Sequence, residues 1–125
     1  MKFIETDRAP KAIGPYSQAV ELSRFVFTSG QLGIDPETGK MVTGSFEEEA
    51  LQVLNNLKAV LEAAGCRTMD IVKTTVFMSD LSLFAEFNTI YADFLKGHRP
   101  ARSTFQVAAL PLGARLEIEA IALIF

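Results

Sequence analysis

The sequence "RPARSTFQVAALPLGARLEIEAIALIF" (residues 99–125) ends the chain and decides its fold. Two strands are predicted here, "ARSTFQV" (101–107) and "ARLEIEAIALIF" (114–125), joined by "AALPLG" (108–113). Side chains alternate between the two faces of a strand, and in the last strand both sets are largely apolar towards the C-terminus. Both faces of the sheet that contains this strand are therefore expected to be buried.

Upstream stretches are also predicted to be strands. "KFIET" (2–6) and "SQAVELSRFVFTSG" (17–30) have the composition of strands, and a hairpin turn around residues 22–24 divides the second. "DIVKTTVFMSD" (70–80) is rich in β-branched residues and is predicted to be a central strand.

Two amphipathic helices separate these strands. The first begins at Ser45, where Glu48 lies at the spacing of a capping box. The second has Asp80 or Ser82 as its N-cap and ends near Gly97. The order β-β-β-α-β-α-β-β predicts an α+β fold, with both helices on one face of a mixed sheet. The second apolar face is then expected to pack against another copy of the chain.

Composition excludes several function classes. The 125 residues fit one domain (1–125), and a net charge of -3 with scattered lysines and arginines predicts no nucleic-acid partner. One cysteine and one histidine allow no intramolecular disulfide and argue against a His/Cys metal site within one chain. No secretory or membrane-spanning stretch is found, so a cytoplasmic location and no membrane partner are expected.

Charged residues interrupt the last two strands. Arg102 and Thr104 share one face, and a hairpin across "AALPLG" would place them opposite Glu119 and Glu117. One interpretation is a cross-strand salt bridge. The other is an anion site, in which the guanidinium binds a carboxylate bidentately and a glutamate holds or deprotonates water.

Other polar residues are weaker candidates for the same site. Tyr16 follows a Gly-Pro turn, where its hydroxyl could reach a ligand or its ring could simply be packed. Ser29–Gly30 ends a strand, and the glycine would let an anion approach the backbone closely. Asn88 shares a helical stripe with Phe84 and Tyr91, beside the core stripe.

These residues lie in stretches that resemble a known family, the RidA/YjgF-type reactive intermediate (imine/enamine) deaminases. The resemblance runs from about Ala9 to Ala122. It is carried by "APKAIGPYSQAV" (9–20), "FTSGQLGIDPETG" (27–39), "DIVKTTVFMSDL" (70–81), "FAEFNTIYADFL" (84–95), "RPARSTFQVAALP" (99–111) and "LEIEAIA" (116–122).

The resemblance implies a chorismate-mutase-like α+β fold assembled as a homotrimer, with clefts between subunits. It implies hydrolysis of 2-imino acids, such as 2-iminopropanoate and 2-iminobutanoate, to 2-keto acids and ammonia, without a cofactor or metal. It places the substrate carboxylate on Arg102 and the attacking water on Glu117. Glu119 is then the candidate for a structural ion pair. The cleft positions are Tyr16, Ser29, Gly30, Asn88 and Thr104.

Thr104 departs from the family pattern, because it stands where many deaminating members carry cysteine. This change bears on substrate preference more than on activity. Two alternatives to the deaminase stay open: a non-catalytic trimer that binds 2-keto acids, and a ribonuclease-type translation inhibitor. The acidic charge balance argues against the second, since Lys and Arg contacts to phosphate dominate RNA affinity.

Overall fold

The computed structural model describes all 125 residues and confirms the predicted order of elements, with one small hairpin added. The elements are β1 (Lys2–Ile4), β2 (Ala19–Leu22), β3 (Phe25–Thr28), β4 (Ile34–Asp35), β5 (Lys40–Met41), α1 (Phe46–Ala63), β6 (Ile71–Met78), α2 (Phe84–Leu95), β7 (Ala101–Gln106) and β8 (Leu116–Leu123). β4 and β5 form a separate two-stranded hairpin at the turn sequence "DPETGK".

The other six strands form one mixed sheet in the order β1-β2-β3-β8-β6-β7. β7 runs parallel to β6, and the other pairs are antiparallel. A parallel pair needs a crossover connection, which α2 provides between β6 and β7. β1 and β7 are the first and last strands in the sheet order, so they are its two edge strands.

The hairpin predicted between the last two strands is wrong, because β6 lies between them. The crossover through α2 returns the chain to the outer side of β6, where β7 pairs along Lys73–Met78. The segment 107–115 then passes the end of β6, and β8 pairs with the other side of β6 and with β3. "AALPLG" is thus a connection across a strand and not a turn between neighbours.

The predicted N-cap is confirmed for the first helix and wrong for the second. Ser45 caps α1, and its Oγ accepts a hydrogen bond from the Glu48 backbone N–H at 3.2 Å. Neither candidate for the second helix caps α2 itself. Asp80 caps the 3₁₀ turn before it, where its Oδ1 accepts from the Ser82 N–H at 2.8 Å, and the N-cap residue of α2 is Leu83, which makes no side-chain capping hydrogen bond. Ser82 itself lies in a 3₁₀ turn that precedes α2.

The core lies between the two helices and one face of the sheet. Leu116, Ile118, Ala120 and Ala122 of β8 are buried on this face, against α1 and its neighbours. Alternate residues of β8 on the opposite face are only half-buried.

That opposite sheet face, called the open face below, carries exposed apolar side chains. They are Phe3, Leu22, Phe25, Phe27 and Phe105. The sequence expectation of a second apolar face is confirmed, and no element of the chain covers it.

Neither helix combines the length and apolar character needed to cross a membrane.

The fold makes a stability prediction for two leucines of α1. Leu57 is completely buried in the core and Leu51 is 45% exposed. Leu57→Ala should lower the free energy of unfolding by about 2–5 kcal/mol, because it removes core contacts and leaves a cavity. The matched Leu51→Ala change should cost no more than about 0.5 kcal/mol. Denaturant unfolding at one fixed protein concentration measures both, and equal losses would contradict this packing.

Candidate functional site

The first half of the site surrounds Arg102 on the edge strand β7. Its Nη1 donates a hydrogen bond to Asn88 Oδ1 on α2 at 2.7 Å. The guanidinium carbon lies 5.1 Å from the ring centre of Phe84 and 5.2 Å from that of Tyr91. Arg102 therefore lies across the helical stripe noted in the sequence, and Asn88 is its direct partner.

Arg102 has no carboxylate partner within the chain. The three salt bridges of the structure join other residues: Arg8 to Glu62, Arg67 to Asp70, and Arg115 to Glu49. The cross-strand salt bridge considered for Arg102 is therefore wrong, and Glu119 likewise forms no ion pair. Since a guanidinium has five N–H donors and Asn88 occupies one, the charged group can bind an anion.

Thr104 lies on the same face of β7 as Arg102, as predicted. Its Oγ1 is the one buried side-chain polar atom that lacks a hydrogen-bond partner. Its neighbour across the strand pair is Val76, which offers no polar side chain. A buried hydroxyl without a partner is unfavourable, so this atom has an unused capacity for a hydrogen bond close to Arg102.

The second half of the site is a cleft that contains Glu117. Tyr16, Ser29, Gly30 and Glu117 line it together. A Cβ built on Gly30 would lie 2.7 Å from the carboxyl carbon of Glu117, so only glycine lets this carboxylate rest against the backbone. The Gly30 N–H has no acceptor in the chain, whereas the N–H groups of Ser29 and Gln31 are bonded.

Two buried amide side chains that the sequence did not single out support this cleft. Gln18 Nε2 donates to the carbonyls of Thr6 at 3.0 Å and Pro10 at 2.7 Å, which fixes the segment leading to Tyr16. Asn56 of α1 donates to the carbonyls of Leu32 and Ile34, which also line the cleft.

In the sequence, only the positions of Gln18 and Asn56 indicate that these side chains are buried. Asn56 occurs among the core positions of an amphipathic helix, and Gln18 directly precedes a strand. A buried polar side chain needs partners, so such positions point to a structural hydrogen-bond network.

Burial raises the pKa of the Glu117 carboxyl, and the neighbouring negative charge of Glu119 raises it further. Both effects disfavour the ionised form. Glu117 therefore holds its proton up to a higher pH than a fully solvated glutamate does. Such a carboxyl is suited to exchanging protons with a bound water.

The two halves lie on opposite faces of the sheet within one chain. Arg102 is opposite Thr74, which in turn pairs with Ala120, so Arg102 shares the helix-covered face. Glu117 pairs with Phe77 and belongs to the open face. The predicted cluster of Arg102, Thr104 and two glutamates therefore does not form in one copy of the chain.

Comparisons with known proteins identify close relatives. The family model described as endoribonuclease L-PSP matches residues 6–124. The mouse 2-iminobutanoate/2-iminopropanoate deaminase is 53% identical over 97% of this chain and 90% of its own length. The crystal structure of E. coli TdcF with bound serine is 48% identical, with a TM-score of 0.95 and complete coverage of both chains. RidA from an Antarctic Psychrobacter is 48% identical, with a TM-score of 0.95, over 99% of this chain and 100% of its own.

The environment of Glu117 predicts how its carboxyl titrates. Followed by carbon NMR, the pKa of Glu117 should lie above the ordinary range of glutamate. Glu119→Gln removes one neighbouring negative charge and should lower that pKa, but only in part, because burial is the larger cause. The matched control Glu37→Gln, an exposed residue of the β4–β5 turn, should leave it unchanged. An ordinary pKa for Glu117, or equal responses to the two substitutions, would contradict the described environment.

Proposed function

We propose that this chain, which belongs to the endoribonuclease L-PSP family, is a deaminase that hydrolyses 2-imino acids to 2-keto acids and ammonia. The observation that carries the proposal is Arg102, a half-buried guanidinium held by neutral groups and free to bind a carboxylate. Support comes from the relative in mouse, which is named for this reaction and matches nearly the whole chain.

Arg102 would bind the substrate carboxylate through its remaining donors, while Asn88 keeps the guanidinium in place. This fixes the imine carbon relative to the rest of the site, and such positioning lowers the barrier without a covalent nucleophile. Thr104 Oγ1 offers a further hydrogen bond beside Arg102.

Glu117 would hold the attacking water. As the water oxygen bonds to the imine carbon, Glu117 accepts a proton from it and then returns a proton to the nitrogen. The hydroxyl group then gives its proton back to Glu117 as the carbon–nitrogen bond breaks, so that the carbonyl of the 2-keto acid forms and ammonia leaves. A protonated imine is electrophilic by itself, so the proposed reaction requires no cofactor. Tyr16, Ser29 and Gly30 would line the cleft, with the unpaired Gly30 N–H directed to the ligand.

The site would be completed by a second copy of the chain. Arg102 and Glu117 lie on opposite faces of the sheet, so one reaction needs Arg102 from one copy and Glu117 from another. A contact that joins two different surfaces must close into a ring or continue as a filament. We propose the closed homotrimer of the chorismate-mutase-like type, with the exposed phenylalanines of the open face buried between copies. The proposal further includes a cytoplasmic location and no nucleic-acid or membrane partner.

The deaminase proposal predicts a defined effect of Arg102. With 2-iminobutanoate generated in place by an amino-acid oxidase, the wild type should accelerate decay of the imine. Arg102→Ala should lower kcat/KM by at least about a hundredfold, since a charge-assisted bidentate contact is lost. Arg102→Lys should recover only part of it, because lysine lacks the fork geometry.

The non-catalytic alternative gives a different result in the same experiment. A protein that only binds 2-keto acids would leave imine decay unchanged and still bind 2-oxobutanoate in a manner that depends on Arg102. No acceleration by the wild type across several imino acids would therefore contradict the deaminase proposal.

A shared site predicts that two inactive variants complement each other. Arg102→Ala and Glu117→Gln should each be inactive alone. After the two are unfolded together and refolded at equal amounts, about a quarter of the sites in random cyclic trimers should contain both native residues. Activity should rise to about that fraction of the wild-type value. Activity that stays at the level of the separate variants would show that both residues act within one copy.

A further inference from the structure

We propose that Phe84 and Tyr91 are positioning residues that hold the Arg102 guanidinium between their rings and thereby set the affinity for the substrate carboxylate. This inference rests on the proposed function in assigning a carboxylate to Arg102. It goes further by giving a role to the two aromatic members of the helical stripe.

The spacing of three residues along α2 places them together around the Arg102 guanidinium. Phe84, Asn88 and Tyr91 stand at positions i, i+4 and i+7, so they follow one side of the helix over two turns. Arg102 crosses this side with its charged carbon almost equally far from the two rings, at 5.1 and 5.2 Å. Asn88, which lies between Phe84 and Tyr91 along the helix, accepts a hydrogen bond from Nη1 through its Oδ1. The three α2 residues therefore hold the guanidinium from neighbouring positions.

One ring is itself fixed by the sheet. The Tyr91 hydroxyl lies 2.6 Å from Thr74 Oγ1, and Tyr91 is buried and stacked on Phe87 at 5.2 Å. Thr74 is also the β6 residue directly opposite Arg102. The ring that contacts the guanidinium is thus attached to the strand next to the arginine, which fixes the distance between them.

The chemistry of this arrangement suits an arginine that has to bind an anion. Aromatic faces attract a cation but do not neutralise it and do not occupy its N–H donors. A carboxylate partner in the chain would occupy those donors and compete with substrate. Holding Arg102 by two rings and one amide oxygen restricts its rotamers before the ligand arrives, and this reduces the entropy lost on binding.

The test compares two phenylalanines of the same helix. Phe84 and Phe94 are both partly buried and packed against the core, but only Phe84 contacts Arg102. Phe84→Leu should raise the Kd for 2-oxobutanoate and the KM for 2-iminobutanoate by about three- to tenfold, with a smaller change in kcat. Phe94→Leu should leave both values at the wild-type level. Phe84→Tyr keeps an aromatic face and should restore most of the lost affinity.

A second series separates the effect of the ring's electrons from that of its shape. Mono-, di- and trifluorinated phenylalanine placed at position 84 progressively weaken the negative face of the ring while nearly preserving its size. The Kd for 2-oxobutanoate, measured by calorimetry, should increase with each added fluorine. A merely structural role of Phe84 would not produce this gradation.

The outcomes distinguish this inference from the proposed function. A wild type that binds 2-oxobutanoate without hydrolysing imines would refute the deaminase, while a graded fluorine series would still support the role of the rings. If the wild type deaminates imines but the Kd for 2-oxobutanoate stays constant along the fluorine series, the role of Phe84 is refuted and the deaminase proposal stands. Equal effects of Phe84→Leu and Phe94→Leu, or no binding of 2-oxobutanoate by the wild type, would also overturn the inference.

Discussion

The parallel pairing of β7 with β6 is the constraint on which the rest of the site depends. Because α2 connects these two strands, it lies beside β7 and presents Asn88 to Arg102. The same pairing moves β8 to the other side of β6, where Glu117 turns to the open face and rests against Gly30. The cation and the carboxylate that would act on one substrate are therefore kept apart in each chain.

This separation leaves neither group with an oppositely charged partner in its own chain. Arg102 is held by an amide oxygen and two rings, none of which cancels its charge. Glu117 has Glu119 as its charged neighbour, so its pKa is raised, whereas a salt bridge to an arginine would lower it. A salt bridge within one chain would have occupied the carboxylate-binding donors and made the glutamate a weaker base. Contact between two copies can bring the two groups together around a ligand.

The sequence predicted the local features well and the long-range pairing poorly. Ser45 caps α1 as expected, because capping depends on residues within one turn. Asp80 caps the 3₁₀ turn that precedes α2 and not α2 itself, since the sequence did not reveal that turn. The stripe formed by Asn88 and its aromatic neighbours was visible from helical spacing, although its partner was not. The hairpin across "AALPLG" failed, since adjacent strands in a chain need not pair, and a crossover helix before β7 favours parallel pairing with β6. Gln18 could not be recognised as a support of the cleft, because its partners lie eight to twelve residues away.

In the proposed assembly, one site takes Arg102 from one copy and Glu117 from another. A crystal structure of the assembled protein with bound 2-oxobutanoate would reveal whether it does. We predict that the ligand carboxylate binds Arg102 of one copy, whose guanidinium is held by Phe84 and Tyr91. The carbonyl carbon of the ligand should face a water held by Glu117 of the neighbouring copy. A ligand bound by residues of a single chain, or one bound away from Arg102, would rule out a site shared between copies.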